Sequence, residues 1–438
     1  MREMKDSGIE WIGAIPINWD IAQFKKILIR NDGGLWGNDP SGQDDILVLR
    51  STEQTIDGKW DIQSPAYRDL SNVSNVQEYL VKCGDLLITK SSGSDLHIGK
   101  TTIVDELIES LHCSFSNFIQ RLRVCSKMNP RYYWYILNSN IARGQFVYLQ
   151  NSTSGIGNIN SKNINEIEVP IPPLDIQHTI ADYLDRKCSQ IDAIIARQQE
   201  VIEKLKAYKL SVITEAVTKG LNPNVPMKDS GVEWIGEIPE HWSIVPLTKQ
   251  LESIVDYRGK TPEKVDDGIF LVTARNIKNG MIDYSISSEY VKAEDYDEIM
   301  RRGIPQIGDV LFTTEAPLGQ VANVDRTDIA LAQRIIKFST KKHLDSYFLK
   351  YWIMSVGFQN FLMTLSTGST AVGIKASKLF MLPVPLAPMQ EQKQIVTYLD
   401  KKCERIESVI DRKQALIDRF TDYKKSLIYE VVTGKKEV

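Results

Sequence analysis

Apolar residues recur every seven positions through two stretches of this chain. In the first, Leu184, Ile191, Gln198, Leu205 and Val212 form one row and Ile180, Lys187, Ile194, Val201 and Tyr208 the other, with Cys188, Ile195 and Ile202 widening the stripe. In the second, Leu399, Ile406, Lys413, Phe420 and Leu427 run beside Ile395, Lys402, Val409, Leu416 and Tyr423. A seven-residue apolar repeat is the signature of a helix with one buried seam. Each stretch opens after prolines that a helix interior does not tolerate, P-I-P-P at 170–173 and P-V-P-L-A-P at 383–388, and meets no further Pro or Gly until Gly220 and Gly434. The pattern predicts two helices of roughly forty residues, each about 60 Å long. Two equivalent helices with one apolar stripe apiece suggest each other as partners; the alternative is that each packs on its own globular domain. The polar seam residues Lys187, Gln198, Lys402 and Lys413 would then fix register, as polar seam positions do elsewhere.

Ahead of each helix the pattern changes. Short apolar runs at Ile46–Leu49, Asp85–Thr89, Gln120–Val124, Phe270–Thr273, Asp309–Thr313 and Arg334–Phe338 read as strands. Aromatic-rich stretches at Arg131–Leu149 and Leu344–Leu365 read as helices, and Ser/Thr/Gly loops close each segment. The expected class is α/β (α+β) for both segments.

The chain is also written twice. Residues 4–19 (MKDSGIEWIGAIPINW) and 227–242 (MKDSGVEWIGEIPEHW) agree at twelve of sixteen positions, and 183–218 and 398–433 agree at seventeen of thirty-six. The intervening segments match only in fragments, such as VKCGDLLITK at 81–90 against PQIGDVLFTT at 305–314 and NSTSGIGNINSKNI at 151–164 against LSTGSTAVGIKASKL at 365–379. A period above 200 residues means duplicated domains rather than a solenoid. One scaffold therefore occurs twice and carries two diverged inserts. The expected division is 1–170, a half-motif with the first variable domain; 171–222, the first helical region; 223–383, the repeated half-motif with the second variable domain; and 384–438, the second helical region.

Composition narrows the function less. With 438 residues, 42% hydrophobic and 25% charged, the chain has room for two or more ordinary globular domains. No apolar run approaches the length that spans a bilayer and the first residues lack a signal-peptide core, so a cytoplasmic location and no membrane partner are expected. Five cysteines without a C-x-x-C pair argue against a disulfide framework, and His112–Cys113 lacks a second ligand pair for zinc. A net charge of −3 counts mildly against DNA, although a local basic face remains compatible with it.

The order of motifs resembles the specificity (S) subunit of type I restriction-modification systems. It is carried by D-S-G-[IV]-E-W-I-G-x-I-P-x-x-W near Asp6 and Asp229, the G-D-[LV]-L-[IF]-T strands at Gly84 and Gly308, the S-T-[SG] loops at Ser152 and Ser366, and the Y-L-D-x-K-C helix starts. The resemblance spans the whole chain. It implies two target recognition domains, in two pseudo-symmetric copies, each reading one half of a split double-stranded DNA sequence. It implies that the two long helices form an antiparallel coiled coil that sets the spacer and docks two modification (methyltransferase) subunits. S-adenosylmethionine would sit on those subunits, ATP and Mg on restriction (translocase/endonuclease) subunits, and no cofactor, metal or catalytic residue on this chain.

The residues themselves offer little catalytic chemistry. Ser94–Thr101 nearly matches a phosphate-cradling loop, but Ser94 stands where glycine is needed, and Gln320 and Val321 replace Lys100 and Thr101 in the second copy. The D-R-K and D-K-K triplets (Asp185–Lys187, Asp400–Lys402) suggest a nuclease fragment but sit inside the heptads. No methyltransferase motif or glycine-rich cofactor fingerprint occurs. A self-contained nuclease or methyltransferase and a coiled-coil adaptor without a DNA role are the competing classes. Loop Ser, Thr and Lys residues suit phosphates, while Arg, Asn and Gln suit base edges. The candidate DNA contacts are Lys90, Ser91, Ser92, Lys100, Thr153, Ser154, Asn158 and Lys162 in the first domain. In the second they are Arg258, Lys260, Arg275, Asn276, Thr314, Thr370, Lys375 and Lys378.

Overall fold

The computed structural model describes residues 2–92, 97–149, 158–257, 262–368 and 372–438. The chain forms two compact units that cut across the linear order. One comprises Met1–Arg197 with Ala415–Val438, the other Gln198–Gln414.

Each unit holds the same sheets. In the first, a four-stranded sheet runs in the order 28–33, 119–124, 86–89, 101–103, and a three-stranded sheet in the order 67–68, 46–49, 114–115. In the second, the corresponding orders are 251–256, 335–340, 310–313, 321–323 and 290–291, 269–272, 329–331. Neighbours in the four-stranded sheets pair antiparallel, whereas 46–49 with 114–115 and 269–272 with 329–331 pair parallel. The parallel pairs are apolar apart from Ser114, as strands covered on both faces are: Val48, Leu49 and Phe115 in one unit and Leu271, Ala330 and Leu331 in the other are at most 1% exposed.

The expected strands are present with ends shifted by one or two residues. Each aromatic-rich helix is broken in two, Pro130–Leu137 with Asn140–Leu149 and Ser346–Met354 with Val356–Leu365. The same bond marks the break in both units: the hydroxyls of Ser139 and Ser355 donate back to the carbonyls of Ile136 and Trp352, both at 2.7 Å. A Ser hydroxyl that takes a helix carbonyl offers the chain a way out of the helix.

The two long helices run from Leu174 to Lys219 and from Met389 to Val432. The first unit takes the start of one and the end of the other; the second takes the remaining parts. In the first unit, Ile180, Leu184, Cys188 and Ile191 share a core with Leu427, Val431 and Val432. Asp192 pairs with Lys424 at 2.6 Å, and the Tyr132 hydroxyl, close to the Pro170 carbonyl, donates to Val432 at 2.8 Å. In the second, Val212, Ile213, Ala216 and Val217 share a core with Ile395, Leu399 and Cys403. Lys209 pairs with Glu407, and Gly220 lies against Glu391. The helical segments in each unit therefore run in opposite senses.

The repeated half-motif docks on this framework. Asp6 and Asp229 accept from the amides of Gly8 and Gly231 at 3.0 and 2.9 Å, closing a turn whose glycines both have φ +74°. Trp11 and Trp234 then lie over Gly144 and Gly357, where an added Cβ would approach the indoles to 2.1 and 2.9 Å. Trp19 and Trp242 are fully buried.

Candidate nucleic-acid interface

In both units, loops from several strands meet at one end of the sheets, held by the same main-chain bonds. In the first unit Ser116 N–H donates to Leu49 at 2.8 Å, Lys90 N–H to Phe118 at 3.0 Å and Ile159 N–H to Lys90 at 2.8 Å. In the second, Ala332 N–H donates to Val272 at 2.9 Å, Thr314 N–H to Arg334 at 3.0 Å and Ile374 N–H to Thr314 at 2.9 Å. The turns at 116–118 and 332–334, the strand ends at 90 and 314 and the segments at 158 and 373 thus converge independently of side-chain type. Ser91 bridges to Asn158 and Glu315 to Gly373 in the same corner.

Several expected contact residues lie here. Lys90, Ser91, Ser92 and Asn158 cluster in the first unit, and exposed Lys162 stands one helical turn on, 3.9 Å from Glu166. Burial lowers the affinity of Lys90 for its proton, and no carboxylate pairs with it among the described residues, so its ammonium is available to an incoming anion. In the second unit Arg275, Lys375 and Lys378 are exposed. Thr153, Ser154, Arg258, Lys260 and Thr370 lie outside the described residues.

Three residues correct the expectation. Lys100 is 3% exposed and its Nζ donates to the Gln54 carbonyl at 2.7 Å. Asn276 is fully buried: its Oδ1 accepts from the amide and hydroxyl of Thr273, and its Nδ2 donates to Asp283 and Ser287. Thr314 is 3% exposed with its hydroxyl on the Arg334 carbonyl. All three brace the loops from inside. Lys100 also disposes of the phosphate-loop reading, of which residues 93–96 lie outside the described residues; its ammonium is already used and its pKa is lowered by burial.

Residue type did not point to the other occupants of this end. In the first unit Trp36, Arg50–Thr52 and Ser116–Phe118 line a cavity of about 390 Å³. Phe118 is 53% exposed, Arg68 stacks over Trp36 at 4.2 Å, and Arg50 is spent on Glu53. In the second, Arg334 pairs with Glu315 through Nε at 3.0 Å. The signal was present: the turns S-N-F and A-Q-R directly precede the aligned strands at Ile119 and Ile335.

The triplets inside the heptads also have a structural explanation. Asp185 accepts from Tyr135 and Asp400 from Tyr351, both at 2.7 Å, which ties each broken helix to a long one. Asp185 in addition holds Arg131. Among the described residues no three His, Cys, Asp or Glu side chains gather as a metal site would need, and no helix is long and apolar enough to cross a membrane.

The chain is similar over most of its length to proteins of one kind. A putative type I restriction enzyme MjaX specificity subunit from Methanocaldococcus jannaschii is 26% identical across 98% of this chain and 96% of its own. The type I restriction enzyme EcoKI specificity subunit of Escherichia coli K12 is 22% identical across 97% and 90%. A chain solved in work on complex assembly and conformational transition of the type I R-M system shares the fold with a TM-score of 0.71. It is 14% identical, and the match covers 95% of this chain and 98% of that one. The family model for the type I restriction modification DNA specificity domain matches residues 52–204 and again 246–416. The chain therefore belongs to the type I restriction-modification DNA specificity family and carries that domain twice.

Proposed function

We propose that each unit presents its loop end to DNA and reads one half of a split sequence, and that the chain supplies recognition while partner subunits supply chemistry. The observation that carries this reading is the loop end itself. The same hydrogen bonds build it in both units, yet its side chains differ, with Phe118 standing where Arg334 stands and Asn117 where Gln333 stands. Conserved framing with different tips is what two readers of different sequences require.

The long helices would form one antiparallel coiled coil that holds the readers apart and docks two modification subunits. Within each unit the helical segments already pair in opposite senses, Asp192 with Lys424 in the first and Lys209 with Glu407 in the second, which supports this reading. In this reading S-adenosylmethionine binds the modification subunits, which methylate adenine, and ATP with Mg serves restriction subunits.

The test is to assemble the chain with modification subunits, incubate the complex with DNA and sequence the methylated product. A motif of two specified blocks around an unspecified spacer, with binding that weakens steeply with salt, is expected. Methylation by the isolated chain would favour a self-contained enzyme. Absence of salt-sensitive DNA binding by the complex would favour an adaptor.

A further inference from the structure

Phe118 and Arg334 occupy one position in two copies of the same turn. Ile119 N–H closes the first turn on Ser116 at 2.9 Å, and Ile335 N–H closes the second on Ala332 at 3.2 Å. With the strand-end bonds described above, the backbone at both positions is fixed before any ligand arrives, as a reading position needs. What differs is the chemistry offered to solvent.

The first turn offers an aromatic ring beside a cavity. Phe118 is 53% exposed although the rest of its turn is pinned, and the cavity of about 390 Å³ has Trp36 among its walls. Ser116 also lines that cavity. It is 1% exposed, and its hydroxyl has no hydrogen-bond partner. A buried hydroxyl without a partner is costly unless something completes it. The counterpart in the second unit is Ala332, so the orphan belongs to the first site alone. An apolar ring gains nothing from phosphate. The apolar group that DNA displays in its major groove is the C5 methyl of thymine.

The second turn offers a guanidinium under restraint. The Arg334 side chain is 49% exposed, and Glu315 holds its Nε at 3.0 Å. That carboxylate lies on the Nε side, and about half of the side chain stays open to solvent. A carboxylate beside the guanidinium also repels phosphate, so the pair suits a base edge better than the backbone. The matching edge is guanine, whose O6 and N7 accept two parallel hydrogen bonds.

We propose that residues 118 and 334 are equivalent base-reading positions with different chemistry: Phe118 contacts a thymine methyl in the first half-site, and Arg334, paired with Glu315, reads a guanine in the second. This assignment rests on the proposed DNA-reading role of the loop ends. The test uses the chain assembled with modification subunits and duplexes carrying the motif it methylates. Each thymine of the first half-site is replaced singly by deoxyuridine, which lacks only the methyl. Each guanine of the second is replaced by 7-deazaguanine, which lacks N7.

One deoxyuridine position is expected to weaken binding about three- to fivefold, and that penalty should vanish in Phe118→Ala but survive in Phe118→Leu. One 7-deazaguanine position is expected to weaken binding roughly 5- to 100-fold, and that penalty should vanish in Arg334→Ala. Each variant should keep the discrimination of the other half-site, which shows that it is folded and assembled. Penalties that persist unchanged in Phe118→Ala and Arg334→Ala, with the motif still read, overturn the assignment alone. A complex that methylates no split motif overturns the DNA-reading role and this assignment with it.

Discussion

Lys100 shows how far residue type falls short of position. A lysine at the end of a turn between strands is a reasonable phosphate ligand, and in this fold it is buried on the Gln54 carbonyl. Burial lowers its pKa below the ordinary 10.5. The sign follows from proton uptake: between the folded and unfolded pKa values the unfolded chain binds more protons, so stability rises with pH there. Denaturation at a series of pH values from neutrality toward 10.5 should therefore show the native protein gaining stability relative to Lys100→Met. In the assembled complex that variant should leave the salt dependence of DNA binding unaltered, whereas loss of a phosphate ligand would lower the slope by about one. The thiols give a second check at this scale. Cys83 is exposed, while burial pushes the Cys113 thiol up to about 12 and Cys188 up to about 11. At about pH 8 a thiol reagent should modify Cys83 first and reach Cys113 and Cys188 only on unfolding, since the thiolate is the reactive form. Rapid labelling of Cys113 in the folded protein, read by peptide mass, would contradict its placement.

The helices connect those residues to function. Two long helices were legible from the heptads, and the spans Leu174–Lys219 and Met389–Val432 agree with that; the second row is not a continuous buried seam, because Ile194, Tyr208, Val409 and Tyr423 are exposed while Ile202 and Ile417 are buried. The strands were legible for the same reason: Ile46–Leu49 is an unbroken apolar run covered on both faces. The breaks at Ser139 and Ser355 were not, because the aromatic pattern continues through them and polar groups turning back on the helix carbonyls leave no mark in it. At the candidate interface, loop position brought Lys90, Ser91 and Asn158 to one corner, whereas the exposure of Phe118 was not legible because an apolar residue before a strand reads as core. The division of each long helix between two units was also hidden, since partner choice is tertiary. If the helices act as a ruler, four residues added after Glu200 lengthen that helix by about 6 Å, close to two base pairs. In an antiparallel coiled coil the opposite helix would need four more after Ala415. We expect the matched double insertion to keep both half-sites and lengthen the spacer by about two base pairs, and either insertion alone to destabilise the chain. An unchanged spacer in an active double insertion would remove the ruler.

At the scale of the whole molecule, each unit is completed by a helix end from the other half of the sequence. Leu427, Val431 and Val432 fill the first unit's core, and their counterparts 215 residues earlier, Val212, Ala216 and Val217, fill the second's. A chain cut after Lys219 loses the segment that completes its first unit but keeps a near copy of it. Two such chains can exchange these segments, and an antiparallel pair of identical helices is a two-fold dimer. Met1–Lys219, assembled with modification subunits, is expected to be dimeric by light scattering and to methylate a palindrome of the first half-site. A folded monomer, or a dimer that methylates no symmetric site, would contradict this exchange.

The central claim, two independent readers on one repeated frame, is tested most directly by replacing residues 27–167 with the corresponding segment of another specificity subunit. The junctions are sound, because Phe24 N–H donates to Ile167 at 2.8 Å and strand 20–23 pairs with 168–171 just outside the exchanged segment. Sequencing of DNA methylated by the chimeric complex should show one block of the motif changed, the other block intact and the spacer kept. A chimera whose two blocks change together would contradict the account.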